Sequence, residues 1–301
     1  MQQTNRSRHR HMTSFQVISL GFLSVILLGS LLLMLPIATK SGQCTSFLDA
    51  LFTSTSAVCV TGLVINDTAT YWSLFGQGII LLLIQIGGMG IITIAIAIAA
   101  ISGRKIGLMQ RSTMQEAISA PTVGGIVRRT QFIIRITILI EIIGAALLAP
   151  VFCRDFGFWK GIWYSLFHSI SAFCNAGFDL IGIRTPFSSL TSYSVQPIVN
   201  LVIMALIVAG GIGFLTWEDI KIHKWHFKKY KMQSKVIFMV TGLLIFLPAL
   251  YFFCFEFSNV PLTERVWVSL FQSVTPRTAG FNTADLTLLS EVGQMLIIIL
   301  M

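Results

Sequence analysis

Three short stretches hold the residues whose types and spacing best fit a chemistry: Leu51–Leu63 (LFTSTSAVCVTGL), Leu166–Phe178 (LFHSISAFCNAGF) and Leu270–Phe281 (LFQSVTPRTAGF). Each opens on Leu-Phe, carries serine at its fourth position (Ser54, Ser169, Ser273) and closes on a small residue, glycine, then Leu or Phe; the third is one residue shorter. Glycine at a turn allows backbone angles closed to other residues and lets chains approach closely. The backbone carbonyls next to these glycines can replace the hydration shell of a monovalent cation. The candidate ligands are the carbonyls around Val60, Thr61 and Gly62, around Asn175, Ala176 and Gly177, and around Thr278, Ala279 and Gly280. No acidic side chain lies at these turns, which argues against carboxylate-based divalent selection. Catalysis inside a membrane needs other constellations. HExxH, GxSxG and paired intramembrane aspartates are all missing, so the chain does not read as an enzyme.

The elements that must hold these turns are set by hydropathy. Of 301 residues, 54% are hydrophobic and 11% charged, where a soluble domain has about a quarter charged. Apolar spans run over roughly 15–37, 72–101, 131–152, 193–216, 236–257 and 287–301, several of them long enough to cross about 30 Å of hydrocarbon as helices. Between the first and second, third and fourth, and fifth and sixth spans lie the three glycine-ended stretches. With about ten residues before the glycine, roughly 15 Å of helix, each can enter a bilayer and return but not cross it. Irregular backbone at that depth is tolerated only when buried in protein or lining a water-filled path, so three copies imply a shared path. Short helices ending at the turns would direct their negative C-terminal ends toward a cation.

The chain therefore reads as an all-α polytopic membrane protein of repeated helix–pore loop–helix units. Residues 1–101 form the first unit with its basic N-terminus, 102–130 a connection, 131–216 the second unit, 217–235 a basic amphipathic connection and 236–301 the third. IGGMGI at 86–91 and AGGIGF at 209–214 repeat within the second helices of the first two units. The Gly-Gln starts at 76 and 293 align as well, and on that alignment the third double glycine falls three residues past Met301. The third unit is expected to be incomplete and a fourth absent. A non-conducting remnant is then the alternative to a working pore.

The net charge of +9 would point to nucleic acid in a soluble protein, but its distribution decides otherwise. Fifteen of 21 Lys and Arg fall at the N-terminus, in 104–135 and in 221–235, alternate connections that place the N-terminus and these loops in the cytoplasm. The 217–235 segment reads as an orientation determinant and interfacial helix, with a regulator-docking surface as the other reading. Five scattered Cys show no paired or metal-binding spacing. Arg277 is expected to point behind the third turn, supporting it by pairing with an acid or a helix end. Glu141, an acid inside a span, is either a functional residue or a partner of Arg135. The double glycines 87–88 and 210–211 serve as hinges or as close-packing sites, the latter being commoner in membranes. The five His form no catalytic set, and His168 reads as structural.

SVTPRTAGFNTADL at 273–286, together with LMLPIATKSG at 33–42 and FLDALFTSTSAVCVTGL at 47–63, resembles the Trk/Ktr/HKT superfamily of potassium transporters, its KtrB-type subunits in particular. The resemblance covers the whole chain. It implies four units around a pseudo-fourfold pore, a filter glycine in each unit (Gly62, Gly177 and Gly280 here), and potassium as substrate, with sodium as a possible coupling ion and no covalently bound cofactor. Glycine rather than serine at Gly62 resembles the potassium-preferring members. The resemblance further implies a homodimer embedded in lipid in the bacterial inner membrane and a cytoplasmic nucleotide-binding, KtrA-like regulatory subunit. Against the family pattern the chain lacks the fourth filter strand, an inner-helix arginine and the glycine-rich gating break of the third unit.

Overall fold

The computed structural model describes residues 13–90, 93–94, 115, 125–183, 185–224 and 226–301. The basic N-terminal dozen and most of the 102–130 connection lie outside the described residues, as does the end of the 72–101 span. Within them there are ten α-helices: α1 (Ser14–Leu33), α2 (Phe47–Val58), α3 (Leu74–Met89), α4 (Ile126–Phe156), α5 (Phe158–Phe173), α6 (Pro197–Gly211), α7 (Phe214–His223), α8 (Met232–Tyr251), α9 (Leu262–Val274) and α10 (Glu291–Leu300).

Helices start where the sequence supplies caps. Thr13 and Gln16 form a capping box on α1, while Ser46, Ser73 and Ser290 cap α2, α3 and α10 through their hydroxyls. Pro197 opens α6, a position where its missing N–H costs nothing. The second helix of each unit carries an amide in its first turn that reaches back to the cap. Gln77 Nε2 donates to Trp72 O at 3.1 Å, Gln294 Nε2 to Leu289 O at 3.1 Å, and Asn200 Nδ2 to Gln196 O at 2.9 Å.

Helices α1, α4 and α8 are long and apolar enough to cross a bilayer; the last continues through a π-helical turn at Phe252–Glu256. Their exposed residues are largely apolar, as lipid-facing surfaces require: Leu31 on α1, Leu147 on α4 and Phe246 on α8. Pore helices α2, α5 and α9 have 12, 16 and 13 residues, longer than the ten-residue reading, because each starts well before its Leu-Phe pair. Only Gly157 separates α4 from α5, so the chain reverses within one residue.

The fourth span also differs from expectation. Instead of running 193–216, the helix stops at Gly211, and α7 leaves at 96° to α6. The indole N–H of Trp217 donates to Ala209 O at 3.0 Å across the bend. Beyond it, the buried Asp219 carboxylate accepts from Ser234 Oγ at 2.6 Å and the Lys231 N–H at 3.1 Å, and lies 3.5 Å from Lys231 Nζ. That junction ties the second unit's last helix to the start of the third unit. Burial opposes the charge of Asp219, but these donors outweigh it and hold the carboxyl below its usual range.

Candidate pore and filter turns

Each pore helix ends immediately before a turn of the same shape. Val60, Asn175 and Thr278 all adopt left-handed backbone (φ 57°, 57° and 71°), and two residues later Gly62, Gly177 and Gly280 do so again (φ 76°, 70° and 78°). The first of each pair is a non-glycine residue in a region side chains disfavour, so the surrounding hydrogen bonds must impose it. They recur: Thr61 N–H donates to Ser56 O at 2.9 Å, Ala176 N–H to Ser171 O at 2.7 Å, and Ala279 N–H to Thr275 O at 3.0 Å. The residue missing from the third stretch is therefore absorbed between Thr275 and Thr278, ahead of the glycine.

The turns meet. A Cβ on Gly62 would stand 2.6 Å from Ala176 O and 3.5 Å from Gly177 Cα; one on Gly177 would stand 2.5 Å from Ala279 O and 3.2 Å from Gly280 Cα. Positive φ and backbone-to-backbone approach both require glycine at these places. All nine residues read as ion ligands (Val60, Thr61, Gly62, Asn175, Ala176, Gly177, Thr278, Ala279, Gly280) thus fall on three adjoining turns.

Support comes from behind. In the second and third units a hydroxyl of the pore helix end reaches forward over the turn: Ser171 Oγ donates to Phe178 O at 2.7 Å and Thr275 Oγ1 to Phe281 O at 2.6 Å. Phe178 and Phe281 are themselves buried, whereas Leu63, their counterpart in the first unit, is exposed. There Ser56 instead receives the Thr61 hydroxyl at 2.9 Å. With its nitrogen facing them, the Asn175 amide reaches Ala172 O at 3.1 Å and Ile207 O at 3.2 Å, so this side chain points toward α6.

Paired glycines seat the inner helices on the pore helices. A Cβ on Gly87 would lie 2.0 Å from Val58 O, and one on Gly210 1.8 Å from Phe173 O, so both are close-packing positions. The helix break falls just beyond, where Gly90 and Gly213 both adopt φ 81°. The outer helices dock through a second pair. Ser54 Oγ donates to Ile26 O at 2.8 Å and Ser169 Oγ to Glu141 O at 2.7 Å, while Gly29 and Gly144 clear the space beside those hydroxyls. Both glycines lie 25 residues before their serine. The same spacing before Ser273 lands on Pro248, and Ser273 turns back to Leu270 O of its own helix.

One sequence expectation needs correction, and one of two alternatives falls away. Arg277 is half-buried, its Nε has no hydrogen-bond partner, and no ion pair to it is found among the described residues. The turn is held by Thr275 instead. Glu141 does not pair with Arg135; its carboxylate accepts from Gln85 Nε2 at 2.9 and 3.1 Å, joining α4 to α3. His168 is more specific than sequence reasoning made it. Its Nδ1 lies 2.7 Å from Tyr164 O and its Nε2 accepts the Leu180 N–H at 3.3 Å, an arrangement of a neutral ring with the proton on Nδ1. The signal was available: LFTS, LFHS and LFQS all place a polar residue third.

Comparisons with known proteins match this architecture. The model of the TrkH family, described as cation transport protein, covers residues 1–301. The potassium/sodium uptake protein NtpJ of Enterococcus hirae is 41% identical over 297 residues, 97% of this chain and 64% of NtpJ. Ktr system potassium uptake protein B of Bacillus subtilis is 41% identical over 292 residues, 95% of this chain and 64% of the relative. The chain thus spans just under two thirds of the length of these relatives. Among solved structures, the potassium transporter TrkH from Vibrio parahaemolyticus superimposes with a TM-score of 0.69 at 20% identity, covering 98% of this chain and 57% of that one, a likeness of fold. With repeated helix–pore helix–helix units, apolar lipid-facing surfaces and a family match along its whole length, the chain belongs to the TrkH cation transport protein family and is a multi-pass helical membrane protein.

Proposed function

We propose that this chain forms part of the ion-conducting subunit of a potassium-uptake system, with Val60–Gly62, Asn175–Gly177 and Thr278–Gly280 lending their carbonyls to a dehydrated potassium ion. The observation that carries this reading is the meeting of three turns with one backbone shape, at the negative ends of three pore helices. The 41% identical relatives, named for potassium and for potassium/sodium uptake, support the choice of ion. Uptake is driven by the membrane potential, about 2.3 kcal/mol per charge per 100 mV, with sodium as a coupling ion. The subunit works as a homodimer in the bacterial inner membrane, N-terminus in the cytoplasm, beside a nucleotide-binding regulatory subunit; the Ktr system name of a relative supports a multi-component assembly.

Rubidium-86 uptake and growth at low potassium test this in bacteria lacking their own potassium uptake, with the gene expressed alongside the regulatory subunit. Growth is restored, and Gly177→Ser lowers potassium preference over sodium at equal membrane expression. Absence of rescue, with the glycine variant indistinguishable from wild type, overturns the reading.

A further inference from the structure

At the start of α4, on the side of the membrane that carries the basic connections, lies a cavity of about 370 Å³. Arg128, Arg129 and Lys221 line it against a single carboxylate, Glu218, which binds Arg129 Nε at 3.1 Å. That pairing leaves Arg129 Nη1 buried with no hydrogen-bond partner, and Lys221 Nζ sits 4.2 Å from the Phe132 ring centre rather than on an acid. The 31-residue helix α4 begins here with Gly125 at its cap, no side-chain cap bond and no acidic residue in its first turn. Its free N–H groups and positive end add to the excess of cations. An anion with several acceptor oxygens satisfies all of these groups together.

The surroundings define what carries the anion. Arg128, Gln131, Arg135, Ile138 and Ile142 are exposed at helical spacing of three and four, so the face that holds the basic pocket runs directly into the apolar stripe that meets lipid. Ile222, at the pocket's rim, is 61% exposed. A soluble anion has no use for that stripe, whereas acyl chains do.

We propose that this pocket binds the phosphate of an anionic phospholipid, its acyl chains lying along Ile138, Leu139 and Ile142 of α4. Arg128 and Lys221 contact the phosphate, and Arg129 supplies the unpartnered Nη1 while Glu218 fixes its position. This inference does not depend on which ion the protein carries.

The test is native mass spectrometry of the purified chain in detergent, titrated with dioleoyl phosphatidylglycerol or dioleoyl phosphatidylcholine. Wild type retains phosphatidylglycerol at one per chain and releases phosphatidylcholine. Arg128→Gln with Lys221→Gln weakens phosphatidylglycerol retention by roughly thirtyfold, about a factor of five per basic group. Arg154→Gln with Lys160→Gln, which removes the same charge at the far end of α4 and the start of α5, leaves retention unchanged. Equal retention by all three proteins, or equal retention of both lipids, overturns the proposal. So does displacement of phosphatidylglycerol by millimolar inorganic phosphate, the mark of a free-anion site. Absence of bound lipid together with loss of regulatory-subunit binding in the Arg128/Lys221 variant would make the pocket a protein contact instead. Should that variant fail to fold, the two-lipid comparison on the unaltered chain decides.

Discussion

The second and third units carry the same glycine turn on different supports. In the second, Ser169 bonds the outer helix beside Gly144, His168 holds the segment after the turn, and Gly210 lets the inner helix rest on the pore helix end. In the third, Pro248 takes the glycine's place, Ser273 bonds its own helix, and Gln272 is fully buried with neither amide atom paired among the described residues. Common to both are the forward hydroxyl, Ser171 or Thr275, and the backbone bond to the same residue's carbonyl. The turn geometry is thus set locally, by the backbone of the pore helix end, since the first unit adopts it without the forward hydroxyl. The contacts to outer and inner helices set where the turn stands. Both outer helices contain a proline, Pro150 and Pro248, but only in the third unit does a π-helical turn follow, at 252–256, so the outer helix of the third unit is the less regular one.

Substitutions can break this contrast, beginning with the glycine whose space is backbone-filled. Gly210→Ala sets a methyl carbon 1.8 Å from Phe173 O and is expected to cost more than about 4 kcal/mol, read as loss of the monodisperse peak in detergent size exclusion. Gly242→Ala on α8 meets no atom within 4 Å and leaves the peak intact. Next, His168→Leu strands the buried Leu180 N–H and lowers stability by about 2 kcal/mol in thermal unfolding, while Gln272→Leu at the matching place is neutral or stabilising. A smaller difference separates the serines. Ser169→Ala loses an interhelical bond and about 1 kcal/mol, Ser273→Ala only a few tenths, since its bond stays within one helix.

A pH-dependent effect concerns the joint between the two units. Because the folded-state pKa of Asp219 is depressed, its charged form stabilises the fold above its ordinary value near 3.9. The advantage of wild type over Asp219→Asn is full above about pH 4 and disappears as pH falls through the folded value. Unfolding temperatures of the two proteins across a pH series check this; a constant gap down to pH 2 would contradict it.

Much of this was legible in sequence because repetition amplifies a weak signal. One glycine-ended stretch says little, but three with serine at the same place defined the turns, and their glycines did fall together. The double glycines were equally readable as close-packing sites once small residues in membranes are weighed against hinges. What escaped were pairings between distant residues. Gln85 and Glu141 lie 56 positions apart, and no local pattern chooses Gln85 over Arg135, one turn and a half away on the same helix. Arg277 misled because charge invites a partner, whereas the turn is held by the uncharged Thr275. The end of α6 at Gly211 was missed because hydropathy continues through Phe214 and Leu215 while the backbone turns away.

The glycine-to-carbonyl contacts run one way. Gly62 faces the carbonyl of the second turn and Gly177 that of the third, but Gly280 meets no carbonyl of the turns before it. Such a series has a direction, like overlapping slats, each resting on the next. A side chain added at Gly62 presses on the second turn and one added at Gly177 on the third, whereas one added at Gly280 meets only Gly177 Cα, at the ordinary contact distance of 3.6 Å. Handedness enters as well: the positive φ at all three glycines is natural to a D-residue, so mirror-image alanine adopts it more readily than ordinary alanine.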